Sequence, residues 1–175
     1  NMVIIKHFSL ERKDNSDFFY VRCKEISHCP YCDNGFDVIG SRKRILCKQD
    51  GSVIHLIIRR LKCTNCHKIS HELPDLVVPY KRHESDTIAA VLTDTSSIEE
   101  DCCPVEESTM HRWKLWFFLL HTYLEGAVRA LMVMWRCESF VILPLYPLRR
   151  QADGWLKILV RNLVNSGRWL HTRSA

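Results

Sequence analysis

The chain has 175 residues, of which 46% are hydrophobic and 10% aromatic, a length and composition that suit one ordinary domain or two small ones. It has no low-complexity tract, so we expect a folded chain and exclude a disordered one. The formal net charge of +5 hides a distribution along the chain that is more informative than the total.

The basic surface is local. Residues 1–28 carry a net charge of +1 and residues 29–84 carry +4, whereas residues 85–107 carry −7 and residues 108–175 carry +7. If four thiolates hold one zinc ion, the site adds about two negative charges to the formal count. An acidic partner is therefore expected to bind particular segments and not the whole surface.

The N-terminal residues do not have the pattern of a secretory signal, because the apolar run in "MVIIKHFSLERK" is too short. We therefore expect a cytoplasmic protein, in which paired Cys-x2-Cys elements are more often metal-binding or catalytic than disulfide-bonded. The apolar stretch "LWFFLLHTYLEGAVRALMVMW" is interrupted by Glu125 and Arg129. It predicts a buried helix, in the core or in an oligomer interface, and no membrane span.

Two Cys-x2-Cys elements, in "CPYCDNG" and "KCTNCHK", are separated by thirty residues. Two residues between ligands allow a tight turn to aim both sulfurs at one ion at about 2.3 Å, and two such turns complete a tetrahedron. Asn34 and Gly35 tolerate the positive φ that such a turn needs, whereas His67 stands where glycine is commoner. The pattern predicts one structural Zn²⁺ ion bound by Cys29, Cys32, Cys63 and Cys66.

Other interpretations of these cysteines compete with structural zinc. A thioredoxin-type redox motif needs a βαβ context that the flanking sequence lacks. A catalytic zinc ion usually keeps an open position beside three protein ligands, whereas four cysteines close the shell. His67 or His71 could replace a cysteine ligand, but four better-spaced thiolates are present, so surface histidines on a loop explain them better.

A hairpin is predicted between the two cysteine pairs. The runs "RKRILCK" and "VIHLIIRRLKC" are β-type, and "QDGS" between them contains Asp50-Gly51, a strong hairpin signal. The order of knuckle, hairpin and knuckle resembles a zinc ribbon, in which a metal holds a hairpin too small to be stable alone. The hairpin residues expected to contact DNA phosphates are Arg42, Lys43, Arg44, Arg59 and Arg60.

Helical patterns follow the hairpin. Pro74 and Pro79 in "ISHELPDLVVPYKRHES" indicate an extended connector. After it, "DTIAAVL" predicts a short helix that begins near Ser85. Near the C-terminus, "DGWLKILVRNLVNSG" predicts an amphipathic helix that ends before Gly167.

The stretch "SIEEDCCPVEESTMHRW" predicts a helix, a short turn and a second helix, similar to a helix-turn-helix. Val105 and Trp113 would face inward from the turn and the second helix. The acidic residues of 85–107 would repel phosphates, so a plain helical bundle is the alternative. The residues expected to reach the DNA are Ser108, His111, Arg112 and Lys114.

Four stretches, "CPYC", "RRLKCTNCHKISHELPDLVVPYKRH", "STMHRWKLWF" and "LVNSGRWLHTRSA", resemble an uncharacterised bacterial family of zinc-ribbon proteins, a domain of unknown function. Members of that family look like the N-terminal DNA-binding part of transposases, with a zinc ribbon followed by a helix-turn-helix. The resemblance implies DNA binding and places the four cysteines at the family's ligand positions. It implies no reaction.

We therefore expect an α+β fold, with an N-terminal zinc-ribbon β-hairpin module and its connector over residues 1–84. An all-α module over residues 85–175 follows, with the helix-turn-helix over about 85–120. The expected function is binding of double-stranded DNA by a zinc-stabilised protein, transposase-like or regulatory, without its own catalytic domain, since no catalytic motif is found. The alternative is a protein-interaction module that docks a protein partner or a second copy through its apolar helices.

Overall fold

The computed structural model describes residues 1–93, 105–135 and 153–170. Within these ranges the chain forms six strands, followed by three helices. The strands are β1 (Met2–Ile5), β2 (Phe8–Arg12), β3 (Phe18–Cys23), β4 (Phe36–Cys47), β5 (Val53–Cys63) and β6 (Ile69–Pro74). The helices are α1 (Ser85–Thr93), α2 (Glu107–Met134) and α3 (Trp155–Asn165).

Strand β5 organises the sheet. Its antiparallel partner β4 lies along one whole edge, from Cys63 opposite Phe36 to Val53 opposite Cys47. The other edge is therefore shared: β3 pairs in parallel with residues 55–57, and β6 pairs in antiparallel fashion with residues 60–62. Strand β2 extends the sheet beyond β3, and β1 extends it beyond β6. The six strands form one mixed sheet that curls into a half-barrel.

The predicted fold class, a zinc-ribbon hairpin followed by an all-α helix-turn-helix module, is wrong. The hairpin itself is present, and Gly51 turns it with a φ of 80°, but its two strands belong to a sheet of six. The segment "ISHELP", predicted as an extended connector, is β6. Pro74 is compatible with this strand because it stands at the last position, where the ladder ends.

The helices pack against the sheet and do not form a separate module. One buried cluster contains Leu56 and Ile58 of β5, Trp113 and Phe117 of α2, and Leu159 of α3. Burial of each such side chain contributes about 1.5–3 kcal/mol, so the helices and the sheet stabilise one another. The predicted boundary after residue 84 stays a prediction, although this cluster has members on both sides of it.

Helix α3 covers the free edge of β1. The Asn165 side chain accepts a hydrogen bond from the Ile4 N–H at 2.8 Å and donates one to the Ile4 carbonyl at 2.9 Å. One amide thus satisfies both backbone groups that an edge strand would otherwise expose at this position. The last described helix is therefore held directly to the first strand of the chain.

Helix α2 is one continuous helix of 28 residues. As predicted, Val105 and Trp113 are buried, whereas His111 and Arg112 are exposed. The first helix of the predicted helix-turn-helix, over residues 98–103, lies outside the described residues. The burial pattern of the second helix alone does not identify that motif, because any helix packed on a sheet buries one face.

The apolar part of α2 is buried on one side only, so the core covers only part of the stretch that was expected to be buried in the core or in an oligomer interface. Leu124 and Leu131 are buried, but Phe118 and Leu119 are 77% and 70% exposed. By length and composition this helix could cross a membrane, and only 17% of its most apolar window is buried. One such helix is weak evidence of a membrane protein, because core helices of soluble proteins reach the same length and hydropathy. A soluble protein is compatible with it, and the cytoplasmic location stays a prediction.

A buried ion pair lies where the second edge of β5 passes from β3 to β6. The Arg59 guanidinium donates two hydrogen bonds of 2.7 Å to the carboxylate of Glu72 on β6, and the Ser27 hydroxyl donates a third at 3.2 Å. The side chain of Glu72 is 1% exposed and that of Arg59 is 39% exposed. The guanidinium therefore compensates a carboxylate that has almost no contact with water.

We expect the two partners of this pair to respond unequally to substitution. Arg59→Ala leaves the Glu72 carboxylate buried and unpaired, which costs about 3–5 kcal/mol of unfolding free energy. Glu72→Gln costs less, because the more exposed guanidinium can turn to water, and adding it to Arg59→Ala should recover part of the loss. Urea unfolding of the metal-loaded proteins measures these differences.

The matched control for this prediction is Arg22→Ala, because Arg22 pairs with Glu11 on the surface, where both side chains are more than half exposed. Exposed pairs contribute about 0–1 kcal/mol. An Arg59→Ala variant no less stable than Arg22→Ala would show that the burial of Glu72 does not depend on its guanidinium partner.

Candidate metal centre and cationic face

The four predicted cysteines form one cluster. Their Sγ atoms all lie within 4.8 Å of one another. Two separations connect one knuckle to the other, at 3.5 Å between Cys29 and Cys66 and 3.4 Å between Cys32 and Cys63. A regular tetrahedron of thiolates at about 2.3 Å from an ion has sulfur separations of about 3.8 Å. The cluster could therefore hold one metal ion after small adjustments of side chains.

The two knuckles have the same backbone conformation. The N–H of Cys29 donates to the Asn34 carbonyl at 2.9 Å, and the N–H of Cys63 donates to the Lys68 carbonyl at 3.0 Å, so each turn is closed across five residues. The residue after each second cysteine has a positive φ, 58° at Asp33 and 56° at His67. The sequence prediction had assigned this conformation to Asn34 and Gly35, one and two residues too late.

The thiols experience different environments. Burial raises the pKa of Cys29 to about 12, whereas a hydrogen bond from the Asn34 backbone N–H lowers the pKa of Cys32 to about 6. Cys29 and Cys63 are 3% and 0% exposed. A cation among the four sulfurs offsets the cost of burying thiolates, because a metal ion deprotonates a thiol that coordinates it.

Neither histidine considered as a substitute ligand belongs to this cluster. In the described parts of the chain, the only group of three or more ligand-type side chains close enough to share an ion is the four cysteines. His67 is exposed at the positive-φ position of the second knuckle, and His71 lines a cavity elsewhere on the sheet. The donor set is therefore four sulfurs.

The centre lies where several segments meet. It stands at the open end of the hairpin, since Cys63 ends β5 opposite Phe36, the first residue of β4. The first knuckle also contacts the chain after α3: a Cβ on Gly167 would lie 3.3 Å from the Pro30 carbonyl, and Gly167 has a φ of 71°. An ion at the centre would therefore fix the hairpin end and support the surface on which the C-terminal segment packs.

The predicted DNA-contacting residues of the hairpin do not share one face. Side chains directly opposite each other in a sheet point the same way, so Arg42 and Arg44 share a face with their partners Ile58 and Leu56. Lys43 points to the other face, where its ammonium lies 4.7 Å from the centroid of the Phe18 ring. Arg59 is occupied by Glu72. The helical candidates Ser108, His111, Arg112 and Lys114 are all exposed at the start of α2.

A set of cations lies close together on the face of Arg42, and we call Arg42, Arg44, Arg60, Arg82 and Arg112 the cationic face. Burial lowers the pKa of Arg44, and the charges of Arg42 and Arg82 lower it further. Burial likewise lowers the pKa of His71, which stands directly opposite Arg60, and repulsion from Arg42 adds to this. These shifts show that the charges repel one another.

Two residues of the loop after β6 join the cationic face to α2, and the sequence analysis missed both. Arg82 carries no motif that marks it. Lys81 is 5% exposed, with its ammonium 4.5 Å from the centroid of the Trp116 ring. Burial, followed by repulsion from Arg112, lowers the pKa of Lys81 to about 8. Two successive basic residues after Tyr80 were the only available signal.

We expect one Zn²⁺ per chain in the purified protein, and loss of that ion in Cys63→Ser. Structural zinc contributes on the order of 10 kcal/mol to small domains, so the variant should lose several kcal/mol of unfolding free energy, as should the parent treated with a chelator. Elemental mass spectrometry and urea unfolding measure the two effects. Cys47→Ser is the control, because Cys47 is half-buried outside the cluster, and it should keep the ion. An unchanged metal content in Cys63→Ser would exclude this centre.

We expect Lys81 to make stability rise with pH between about 8 and 10.4, the latter being the ordinary lysine pKa. In this range the unfolded chain binds a proton at Lys81 that the folded chain has released, so raising the pH favours folding. Lys81→Met, which keeps the contact with Trp116, should remove this increment. Urea unfolding of parent and variant at pH 7, 8, 9 and 10 gives the difference, and parallel curves would show that Lys81 is not buried as a cation.

Comparison with known proteins identifies one domain. A domain of unknown function, DUF6431, matches residues 29–113. No curated protein and no solved structure matches the chain. The match extends from the first cysteine of the metal centre to Trp113 of α2 and includes the whole cationic face. The chain therefore contains a DUF6431 domain, and the cysteine cluster and the cationic face both lie inside it.

Proposed function

We propose that this protein binds double-stranded DNA through its cationic face, as a zinc-stabilised regulatory protein or accessory protein of a mobile element without its own catalytic domain. The observation that supports this most is the grouping of five arginines without carboxylate partners. Within the described residues, none of the five forms a salt bridge.

Other basic side chains of the chain differ from these five arginines, because they have carboxylate partners. Arg22, Arg59, Lys157 and Arg161 each pair with a carboxylate within 3.5 Å. The fold thus neutralises basic side chains in several places but leaves neighbouring arginines on one face unneutralised. Like charges held together oppose folding, and a polyanion such as the DNA backbone would relieve that repulsion by replacing it with attraction.

The acidic residues of 85–107 would repel DNA phosphates, but one of them is already paired within the chain. Asp86, the first of them, is bound to the Lys157 ammonium at 2.6 Å, and so it is partly neutralised. Glu106 and Glu107 are exposed at the start of α2. The four other acidic residues of the segment lie in residues 94–101, outside the described residues.

Zinc is the ion we propose for the metal centre. Four thiolates in tetrahedral arrangement are typical of zinc or of iron–sulfur sites, and a closed shell of four cysteines in two knuckles is typical of structural zinc. The separations between the sulfur atoms bracket the value expected for that geometry. In this role the ion would stabilise the sheet that carries the cationic face and would take no part in a reaction.

We expect the metal-loaded protein to shift a random 30-base-pair duplex at low salt, with an affinity that falls linearly in log–log form as salt rises. Arg60→Ala and Arg112→Ala should each weaken binding and reduce the salt slope by about 1, because each removes one phosphate contact. Electrophoretic mobility shift over a salt series measures both quantities.

Arg22→Ala is the matched control for DNA binding, since Arg22 is a surface arginine already paired with Glu11. It should leave affinity and slope unchanged. Absence of any shift at low salt in metal-loaded protein would overturn the proposal. The alternative, a protein-interaction module, would then rest on the exposed Phe118 and Leu119 of α2.

A further inference from the structure

Three arginines of the cationic face, Arg42, Arg44 and Arg82, line an open cavity of about 530 Å³. This volume lies within the range of roughly 300–1,000 Å³ that small-molecule sites occupy. The cavity lies where the face of the sheet that carries the core continues past the helices, since Ile58 and Leu73 belong both to its lining and to the core cluster.

The lining of the cavity combines two kinds of side chain. Arg42, Arg44 and Arg82 are cationic, and the described residues that line the cavity include no carboxylate. Ile58, Leu73 and Met2 are apolar. A ligand that satisfies both kinds has an anionic group and an uncharged, largely apolar body.

One of these arginines is held in place. The Arg44 guanidinium donates a hydrogen bond of 2.9 Å to the Lys81 carbonyl, which ties β4 to the loop that carries Arg82. The Arg44 side chain therefore needs little reordering when an anion arrives. Planar guanidinium groups match the oxygens of a phosphate better than ammonium groups do.

Tyr80 supplies an aromatic ring at the rim. It lines the cavity, is 41% exposed, and has a φ of 66°. A bulky residue in this left-handed region is strained, and such strain clusters at ligand sites. The phenol of Tyr80 also lies close enough to Arg44 to raise the pKa of its guanidinium. Tyr80 therefore contributes a partly exposed aromatic residue to the lining, beside Arg44.

We propose that this cavity binds a phosphate monoester joined to a planar ring, as in a nucleotide, either as the 5′-phosphorylated end of a nucleic-acid strand or as a free nucleoside monophosphate. The strand-end form rests on the proposed function. A terminal phosphate carries close to two negative charges at neutral pH, whereas an internal phosphodiester carries one. A concave site of this size is large enough for the terminal nucleotide of a strand.

The first test titrates the metal-loaded full chain calorimetrically at low salt with inorganic phosphate, ribose 5-phosphate and adenosine 5′-monophosphate. The affinity should increase in that order, because each probe engages one more part of the cavity. The second test compares duplexes that carry a short 5′ overhang, with either a 5′-phosphate or a 5′-hydroxyl. The phosphorylated end should bind about tenfold more tightly, the equivalent of one charge-assisted hydrogen bond.

Matched variants separate the cavity from the rest of the cationic face. Arg82→Ala should abolish monophosphate binding and the preference for the 5′-phosphate. Arg112→Ala, outside the cavity, should weaken all duplex binding and keep that preference. Tyr80→Phe should retain the advantage of adenosine monophosphate over ribose 5-phosphate. Tyr80→Gly, which accepts the positive φ without strain, should lose it, and a melting temperature within a few degrees of the parent would show that the fold is intact.

Each outcome decides a different claim. Monophosphate binding together with a 5′-phosphate preference supports the strand end, and monophosphate binding without that preference supports a free nucleotide. If monophosphate binds but no duplex does, the cavity proposal stands and the proposed DNA-binding function fails. If duplexes bind with a salt slope while neither monophosphates nor 5′-phosphates have an effect, the cavity proposal is overturned and DNA binding stands. Equal affinity for all three small probes would indicate a nonspecific anion site and would also overturn it.

Discussion

The pairing of β5 with three strands is the constraint on which the rest of the molecule depends. A strand has two edges, and β4 takes one of them completely, so β3 and β6 must divide the other. The division separates the sheet into two branches that curl away from the hairpin. It also leaves Arg59 between the two branches, where its guanidinium meets the carboxylate that β6 buries. The C-terminal end of the same strand carries Cys63 into the metal centre.

Burial or repulsion disfavours the charged form of several ionisable groups of this fold, and the groups differ in what compensates them. Glu72 is buried with a bidentate partner inside the chain. The Cys29 thiol is buried among other sulfurs, and a bound cation would compensate it. The cationic face has no such compensation among the described residues, since its arginines repel one another without nearby carboxylates. The first group therefore stabilises the fold and the second could hold a metal ion, and it is for the third that we propose an anionic partner.

Local patterns predicted the features whose determinants are local. The four cysteines were found by their spacing, and the hairpin by Asp50-Gly51 between two β-type runs. The sheet as a whole was missed because two of its pairs are nonlocal and parallel: β1 pairs with β6 almost seventy residues later, and β3 pairs with β5 beyond β4, so no hairpin turn marks either pair. The ion pair of Arg59 with Glu72 follows from the register of β5 with β6, in which Arg60 stands opposite His71. Tyr80 and Arg82 lie in a loop whose position the sheet determines.

One extra residue connects the metal centre to the cationic face. Val38 stands opposite Leu61 and Gly40 opposite Arg60, so Ile39 is a bulge in β4, and Gly40 has a φ of 150°. In a regular ladder continued from the knuckle, Lys43 would stand opposite Leu56, and Arg42 and Arg44 would turn to the opposite face of the sheet. The bulge reverses this assignment.

The presence of Arg42 and Arg44 in the cavity therefore depends on the register of β4 against β5. The second knuckle begins at Cys63, whose pairing with Phe36 sets the register at the start of β4. The bulge then turns Arg42 and Arg44 to the core face of the sheet. A change that freed the cysteine-bearing end of the hairpin would allow β4 to slide along β5, and a slide of one residue exchanges Arg42 for Lys43 on the core face. The cysteine cluster and the arginines of the cavity therefore depend on one strand pairing, which begins at Phe36 and Cys63 and carries Arg42 and Arg44 beyond the bulge.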